Sequence, residues 1–378
     1  MPDTPEHDDR WRDPRWRSDV RRRLTRWFDA NAREMPWRTD PTPYHVWVSE
    51  VMLQQTQVAT VIPYWRRFMD RFPTVRHLAA ADEDELLTLW EGLGYYRRAR
   101  SLHAAAKRIV EEHGGEFPDR FEDVLTLPGV GRYTAGAIQS ISGDRRRPIL
   151  EGNTVRVFTR WIAMRRPPAE TASQKLLWEV AEAMLPPRRG SGRFNQAAME
   201  LGALVCRPQP ECDACPVRKN CAAFEAGIQA KIPGKVTNIE YTDRREFALV
   251  IDRVVDGQRH YLLHRRSRDD RWAGLWDWPR PVREEYPDVG VATASVAATI
   301  GIGVTPGMRL MTLRHGVTRY RITLDVHAAE LDDASRVLPD GWAWRTPREL
   351  EAMAVPVTAR TIAERLENDS QGLLPLSV

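Results

Sequence analysis

Four cysteines are concentrated in one short stretch of the 378-residue chain. They are Cys206, Cys212, Cys215 and Cys221. The charged N-terminus has no apolar segment typical of a secretory signal, so a disulfide framework is not expected. Zinc ribbons usually bring two separated Cys-x-x-Cys knuckles, whereas this stretch has only one, from Cys212 to Cys215. The compact spacing therefore favours one cubane [4Fe-4S] cluster held by four thiolates over a zinc ion.

Glycine spacing marks a second candidate site, at the sequence LPGVGRYTAGAI over residues 127–138. Glycine permits positive φ angles and the close approach of another backbone. The N–H groups at the start of the following helix can hold a phosphate oxygen without reading a base. We therefore predict that Gly129, Val130 and Gly131 form a hairpin that grips a nucleic-acid backbone. Taken alone, the pattern fits an ordinary helix–turn–helix corner equally well.

Several long motifs, in the right order, resemble those of the MutY-type adenine DNA glycosylases, within the iron–sulfur branch of the helix-hairpin-helix glycosylase superfamily. Besides the hairpin and the cysteines, they are PYHVWVSEVMLQQTQV over 43–58, GLGYYR over 92–97, PILEGN over 148–153 and RFNQ over 193–196. The resemblance is dense over about 21–225 and loose beyond. It implies a mainly α helix-hairpin-helix glycosylase domain with an Fe–S cluster loop, followed by an α+β Nudix-like domain.

The resemblance divides the chemistry between two carboxylates. Glu50 lies in an apolar-flanked helical segment, where burial would raise its pKa and suit a general acid; the family implies that it protonates N7 of adenine. Glu151 would act on the developing sugar cation, as paired carboxylates do in glycoside hydrolysis, and Asn153 would orient it or a water. The family has aspartate where this chain has Glu151, and a misplacement of about 1 Å can cost about 100-fold in rate. Reduced, altered or compensated activity all stay open, and Asp144 is the nearest other carboxylate.

Tyr133 bears on the reaction class. It occupies the helix position at which bifunctional relatives resembling endonuclease III carry a lysine. A Schiff base needs an amine, so no intrinsic AP lyase activity is predicted.

A base in a duplex must leave the stack before its glycosidic bond is cut, and protein side chains fill the gap. The resemblance assigns contacts with the DNA and the orphan base to seven residues outside the hairpin: Leu53, Gln54, Gln55, Thr56, Leu93, Tyr95 and Gln196. Trp37, with Arg33 and Arg38 close by, is assigned to the base pocket.

The C-terminal part resembles the recognition domain of the same family. It lacks the Gly-x5-Glu-x7-Arg-Glu box of a Nudix hydrolase, and WAGLWDWP over 272–279 matches the non-hydrolytic version. Family members probe 8-oxoguanine with a Phe-Ser-His turn. Here the turn reads RHGVTRY over 314–320, and Thr318 keeps a hydroxyl at the serine position.

Apolar periodicity predicts the elements that carry these residues. Helices are expected over 46–62, 83–90, 98–113, 133–142, 154–164, 174–185, 194–205, 292–300 and 357–367. Strands are expected over 247–255, 261–264 and 320–328. The predicted domains are a frayed polar tail (1–20), a helical glycosylase domain (21–229) with the cluster loop 206–221, a linker (230–243) and the Nudix-like domain (244–378).

Composition excludes several classes of protein. The chain is 42% hydrophobic and 29% charged, which excludes wholesale disorder, and no run of 18 apolar residues predicts a membrane helix. We predict a monofunctional, monomeric glycosylase, cytoplasmic and nucleoid-associated in a bacterium, that removes adenine opposite 8-oxoguanine or guanine in double-stranded DNA. The alternatives are a glycosylase for thymine or uracil opposite guanine, and a catalytically weakened mismatch-binding protein.

Overall fold

The computed structural model describes residues 6–234, 241–267, 270–281, 288–317 and 319–370. Backbone contacts divide the chain into two compact units. The first, which we call the helical unit, contains residues 1–80 and 101–238; the second, the mixed unit, contains residues 81–100 and 239–378. No described helix has the length and apolarity that a membrane span requires.

The described part of the helical unit is built from α-helices. In chain order these are α1 (Pro14–Asn31), α2 (Pro36–Thr39), α3 (Pro43–Leu53), α4 (Val58–Arg71) and α5 (Val75–Ala79); α6 (Glu83–Trp90) belongs to the mixed unit, and α7 (Arg97–His113) begins there. The helical unit continues with α8 (Phe121–Thr126), α9 (Arg132–Gly143), α10 (Gly152–Trp161), α11 (Thr171–Met184), α12 (Ser191–Leu204) and α13 (Ala222–Glu225).

Two sequence-based expectations are wrong in this unit. The segment 46–62 is not one helix, because α3 ends at Leu53 and α4 begins at Val58. Gln55 between them has φ 59°, a left-handed conformation that ends a helix. The apolar period runs through the break because both helices pack on the core.

The second wrong expectation is that the polar tail is frayed, which fails for its described residues 6–20. The helix α1 begins at Pro14, and the Asp13 side chain caps it by accepting from the N–H of Arg15. Trp11 and Val20 are buried in the core. Aspartate followed by proline is a favourable helix start, and the apolar face of α1 was obscured by the arginines around it.

The mixed unit contains a sheet with helices. Its described strands are β1 (Thr242–Val255), β2 (Gln258–Arg265), β3 (Trp276–Asp277), β4 (Val304–Val317), β5 (Tyr320–Leu331) and β6 (Trp342–Arg345), and its further helices are α14 (Val289–Ile300), α15 (Pro347–Ala352) and α16 (Val357–Ser370). The strand order is β3-β2-β1-β5-β4, and β6 pairs with β2. The β1–β5 pair is parallel, and the other pairs are antiparallel.

Most expected elements of this unit are confirmed, including the strand over 320–328 and the helices over 292–300 and 357–367. In β5 the expected alternation places Ile322, Leu324 and Val326 in the core. Asp325, on the opposite face, is also buried, because Thr312 and Arg245 bond its carboxylate. Segment 81–100 is tied to α16 by a two-bond contact between Arg360 and Glu91, at 3.0 and 2.8 Å.

Close helix packing places the chain around residue 151 beside α12. A Cβ added at Gly202 of α12 would lie 2.6 Å from Cβ of Asn153. Only glycine permits this approach. The start of α10 is therefore held directly against α12.

Candidate active site

Glu50 lies in the middle of α3, which begins at Pro43 under a cap from the Thr42 side chain. Only 6% of Glu50 is exposed. Its Oε2 accepts a hydrogen bond from the Tyr133 hydroxyl. Burial raises the pKa of Glu50 to about 7; the Tyr133 hydrogen bond lowers it, the Glu151 charge raises it and Arg38 lowers it. Near neutral pH a substantial fraction of this carboxyl therefore carries a proton that it can donate.

Tyr133 stands in the first turn of α9, where it bonds Glu50 and lies within the electrostatic influence of Glu151. Its hydroxyl lies 3.6 Å from Sδ of Met199 on α12 as well as bonding Glu50. Burial and the charges of Glu50 and Glu151 raise the pKa of Tyr133 well above its ordinary value. The hydroxyl therefore stays neutral and acts as a hydrogen-bond donor.

Glu151 is the N-cap of α10. Its Oε1 accepts from the N–H of Thr154 at 2.8 Å, and its Oε2 accepts from the N–H of Asn153 at 2.8 Å and from the Asn153 amide Nδ2 at 3.2 Å. Burial raises the pKa of Glu151, and these hydrogen bonds together with the Arg156 charge oppose the rise. A carboxylate at a helix N-terminus is also favoured by the helix dipole.

Asn153 is held at its other end by Arg156, whose Nη2 donates to Asn153 Oδ1 at 2.8 Å. The same guanidinium donates to the carbonyl oxygens of Gly202 and Cys206, at 2.8 and 2.7 Å. The amide orientation that places Nδ2 on Glu151 is thus fixed by a positive group.

Asp144, the nearest alternative carboxylate in sequence, has a structural role. It ends α9 in a left-handed conformation. Its two oxygens accept from the N–H groups of Gly190 and Gly192, at 2.8 and 3.1 Å. These hydrogen bonds hold the Asp144 carboxylate at the start of α12.

A polar network that sequence reasoning missed is centred on Glu200 of α12, which is 1% exposed. Its carboxylate accepts from Arg33 at 2.8 Å and from Arg38 at 3.0 Å. Arg38 also donates to Oε1 of Gln196 at 3.1 Å. The spacing of Gln196 and Glu200 by four residues places both on one helix face, and that signal was available in the sequence.

The remaining candidate residues of the helical unit fall into two groups. Leu53 ends α3, and Gln54, Gln55 and Thr56 form the turn before α4, with Gln55 exposed. Trp37 is buried and packs edge-on against Trp65, with ring centroids 5.9 Å apart.

The hairpin forms as predicted between α8 and α9. Gly129 has φ 76°, and a Cβ there would lie 2.6 Å from Cβ of Ser101. Val130 is buried, and its N–H donates to Leu127 O at 3.1 Å. Gly131 is the N-cap of α9, so the first N–H groups of α9, which lack partners within the helix, are the donors suited to phosphate.

In the mixed unit, Leu93 and Tyr95 follow α6. Leu93 is buried, whereas Tyr95 is 52% exposed. Both line one cavity together with Trp272, His315 and Val317. The sequence-distant motifs 92–97, 272–279 and 314–317 therefore meet within this unit. Thr318 lies outside the described residues.

All four cysteines line one small cavity. In the described ranges no three His, Cys, Asp or Glu side chains are grouped so that they could share one metal ion. Arg160, which is 2% exposed, donates from Nη1 to Sγ of Cys206 at 3.3 Å and from the same guanidinium to the carbonyl oxygens of Arg207 and Pro208. A buried cation bonded to the Cys206 sulfur favours the negative charge of a thiolate there.

Comparisons with known proteins identify the families that this chain resembles. A family model described as "HhH-GPD superfamily base excision DNA repair protein" matches residues 48–183, and a NUDIX domain model matches residues 253–365. A mouse protein named adenine DNA glycosylase is 35% identical over 93% of this chain and 78% of its own length. A human protein of the same name is 42% identical over 70% of this chain and 49% of its own length. A solved thermostable thymine-DNA glycosylase is 25% identical with TM-score 0.52, over 56% of this chain and 98% of its own.

Proposed function

The chain belongs to the adenine DNA glycosylase family of base excision repair, and on that basis we propose that it hydrolyses the N-glycosidic bond of adenine mispaired with 8-oxoguanine or guanine in double-stranded DNA. One observation carries the proposal: Glu50, which is buried, and Glu151, which is half-buried, both interact electrostatically with one tyrosine, Tyr133. Departure of adenine needs a proton on the base and an anion near the sugar, and this pair can supply both.

Glu50 serves as the general acid. Its pKa of about 7 lies close to the pH at which it works, which is the condition for efficient proton transfer. The bond from Tyr133 orients its Oε2. Gln196 and Arg38, joined at 3.1 Å, are proposed to hold the flipped adenine, because an amide offers both donors and an acceptor to a base edge.

Glu151 serves as the anion beside the sugar cation. Two backbone N–H groups and the Asn153 amide favour its ionised form. Asn153 is thereby a positioning residue for the carboxylate. Because the carboxylate is already held at an N-cap, the glutamate in place of the family aspartate is compatible with catalysis.

The hairpin and the mixed unit are proposed to hold the DNA. N–H groups around Gly129 and Gly131 bind phosphate, and Leu53, Gln54, Gln55 and Thr56 fill the gap left by the extruded base. Leu93 and Tyr95, together with Thr318, contact the orphan base. Such a protein is expected to act as a monomer at the bacterial nucleoid.

Cys206, Cys212, Cys215 and Cys221 would hold one [4Fe-4S] cluster. Bound there, it would cross-link the loop 206–221 to itself through its four thiolates. We expect about four irons per chain and broad visible absorbance. One stoichiometric zinc with no iron would contradict the assignment.

Base removal is proposed to occur without AP lyase activity, because Tyr133 provides no amine for a Schiff base. The DNA backbone should stay intact until alkali or heat is applied. Borohydride should trap no covalent complex, and efficient trapping would overturn the monofunctional assignment.

The deciding experiment is single-turnover excision on one duplex sequence that pairs 8-oxoguanine or guanine with each normal base in turn. Excision of adenine alone, faster opposite 8-oxoguanine, is expected. Excision of thymine or uracil opposite guanine would favour a different glycosylase. Tight binding without excision would indicate a mismatch-binding protein.

A further inference from the structure

The start of α10 carries a reciprocal pair of hydrogen bonds between Glu151 and Thr154. Glu151 Oε1 accepts from the N–H of Thr154 at 2.8 Å, and Thr154 Oγ1 accepts from the N–H of Glu151, also at 2.8 Å. The Thr154 hydroxyl further donates to the carbonyl oxygen of Glu151 at 3.1 Å. Thr154 is fully buried, so water does not compete for these bonds. One side chain therefore fixes both the backbone and the carboxylate of Glu151.

The remaining capacity of the Glu151 carboxylate follows from its partners. An ionised carboxylate offers about four lone-pair positions. Oε2 accepts two hydrogen bonds, both from Asn153. Oε1 accepts one, from Thr154, and no other donor among the described residues bonds it. One acceptor position is therefore left, and it belongs to Oε1.

We infer that Thr154 is a positioning residue for catalysis, and that Glu151 Oε1 is the oxygen that faces the reacting sugar. This inference rests on the proposed function, because it assigns a geometry to a carboxylate whose role in excision is itself proposed. It goes beyond that function by naming the residue that orients the carboxylate and the carboxylate oxygen that faces the sugar.

The length of the side chain explains why such a residue is needed. Glutamate has one more rotatable bond than aspartate, so its carboxylate reaches more positions when only its backbone is fixed. The Thr154 hydroxyl fixes the φ and ψ angles of Glu151 through the bonds at 2.8 and 3.1 Å. The Thr154 N–H then captures Oε1. Together they limit the longer side chain to one orientation.

The electrostatic surroundings predict how loss of this arrangement changes the pH dependence. Glu50 on α3 and Tyr133 on α9 face Glu151, and Arg156 lies on α10 itself. Burial and Glu50 favour the protonated carboxyl, whereas Arg156 and the N–H groups of residues 153 and 154 favour the anion. Removing the Thr154 hydroxyl loosens the N–H contacts. The pKa of Glu151 should then rise, and the acidic limb of the rate profile should move to higher pH.

The test compares Thr154→Val with Thr154→Ser. The matched control is Thr159→Val, because Thr159 is also a fully buried threonine of α10, and its hydroxyl donates to the carbonyl oxygen of Arg156 at 3.0 Å. Single-turnover adenine excision is measured across pH, together with the Kd for the mismatched duplex and the melting temperature. If Thr154→Val does not fold, Thr154→Ala and Thr159→Ala carry the same comparison.

We expect Thr154→Val to lower the excision rate about tenfold or more at neutral pH, in line with the cost of misplacing a reacting group. Its acidic limb should move to higher pH and its Kd should stay unchanged. Thr154→Ser should retain the wild-type excision rate and the wild-type position of the acidic limb. A Thr154→Val protein with the rate and pH profile of Thr159→Val would overturn the inference.

Glu151→Gln separates this inference from the proposed function. If Glu151→Gln loses excision while Thr154→Val behaves like the control, Glu151 keeps its role and Thr154 loses its own. If Glu151→Gln excises adenine at the wild-type rate, the role of Glu151 in the proposed function is wrong, and the inference about Thr154 falls with it.

Discussion

Two glutamates, Glu50 within α3 and Glu151 at the N-terminus of α10, lie in opposite environments. Glu50 lies where every neighbouring N–H is used within the helix, so its carboxyl has one strong donor, the Tyr133 hydroxyl. Glu151 lies where the first N–H groups of a helix have no internal partner, and it accepts from two of them. Glu50 is buried and Glu151 half-buried. Burial raises the pKa of both, but only Glu151 has backbone donors that stabilise its anion.

The difference shows how a fold can give two side chains of one type different tendencies to hold a proton. Burial alone would push both carboxyls toward the neutral form. Position along a helix then separates them, because N–H groups are available only at its start.

The largest effect is expected for Glu50→Gln. The amide keeps the shape and can still bond Tyr133, but it has no transferable proton. Adenine excision in single turnover should fall by about 100- to 10,000-fold, the usual cost of losing general acid catalysis. The Kd for the mismatched duplex should stay near that of the wild type. Excision within about threefold of wild type would mean that another group donates the proton.

The next effect is expected for Glu151→Asp, which tests whether the start of α10 is built for the longer side chain. Aspartate is also a good N-cap, so the helix should persist. The carboxylate would be withdrawn by one methylene, and the excision rate should fall about 100-fold. A rate above wild type would show instead that Glu151 is a tolerated defect and that the shorter residue restores a better geometry.

Part of the candidate site could be predicted from the sequence. Apolar neighbours on α3 indicated the burial of Glu50, the clustered cysteines indicated one shared site, and glycine spacing indicated the hairpin. The resemblance to a known family supplied Glu151, but not its bonds with Thr154. Glu200 was missed because its partners, Arg33 and Arg38, are more than 160 residues away along the chain, and local patterns do not encode such pairs.

The sequence predicts helices and strands well where they follow a regular pattern. It predicts them poorly where they depend on a single residue or on distant contacts. Regular alternation predicted β5, because one face of that strand is buried. The break at Gln55 depends on a left-handed residue that is not glycine, which composition does not signal. The grouping of 81–100 with the C-terminal part of the chain depends on long-range contacts such as that between Arg360 and Glu91.

A smaller effect is expected for Tyr133→Phe. The hydroxyl lowers the pKa of Glu50 by favouring its charged form, so its loss should raise that pKa by about one to two units, given the usual strength of a hydrogen bond to a charged group. The alkaline limb of the excision profile should move up accordingly. Tyr44→Phe is the control, because Tyr44 also lies on α3 but its hydroxyl bonds Phe72 O. An unshifted limb in Tyr133→Phe would contradict the coupling.

The smallest effect is expected on DNA binding. Alanine at Gly129 would meet both the left-handed φ of 76° and the Ser101 side chain. Gly129→Ala should weaken the Kd about tenfold and reduce the magnitude of the log–log salt slope by about 0.9 for each phosphate that the hairpin no longer binds. Gly257→Ala, in the turn between β1 and β2, has the same φ of 76° and open space around its Cβ. An equal loss of binding in both variants would contradict a specific role of the hairpin in phosphate binding.

The pH dependence of single-turnover adenine excision by the wild-type protein tests the division of roles most directly. Glu50 donates a proton only when it is protonated, and its pKa is about 7. The rate should therefore fall above about pH 7, approaching tenfold per pH unit, and the Glu50→Gln variant should lack this limb. A wild-type rate that stays constant or rises from pH 7 to pH 9 would contradict the account of Glu50 as the acid.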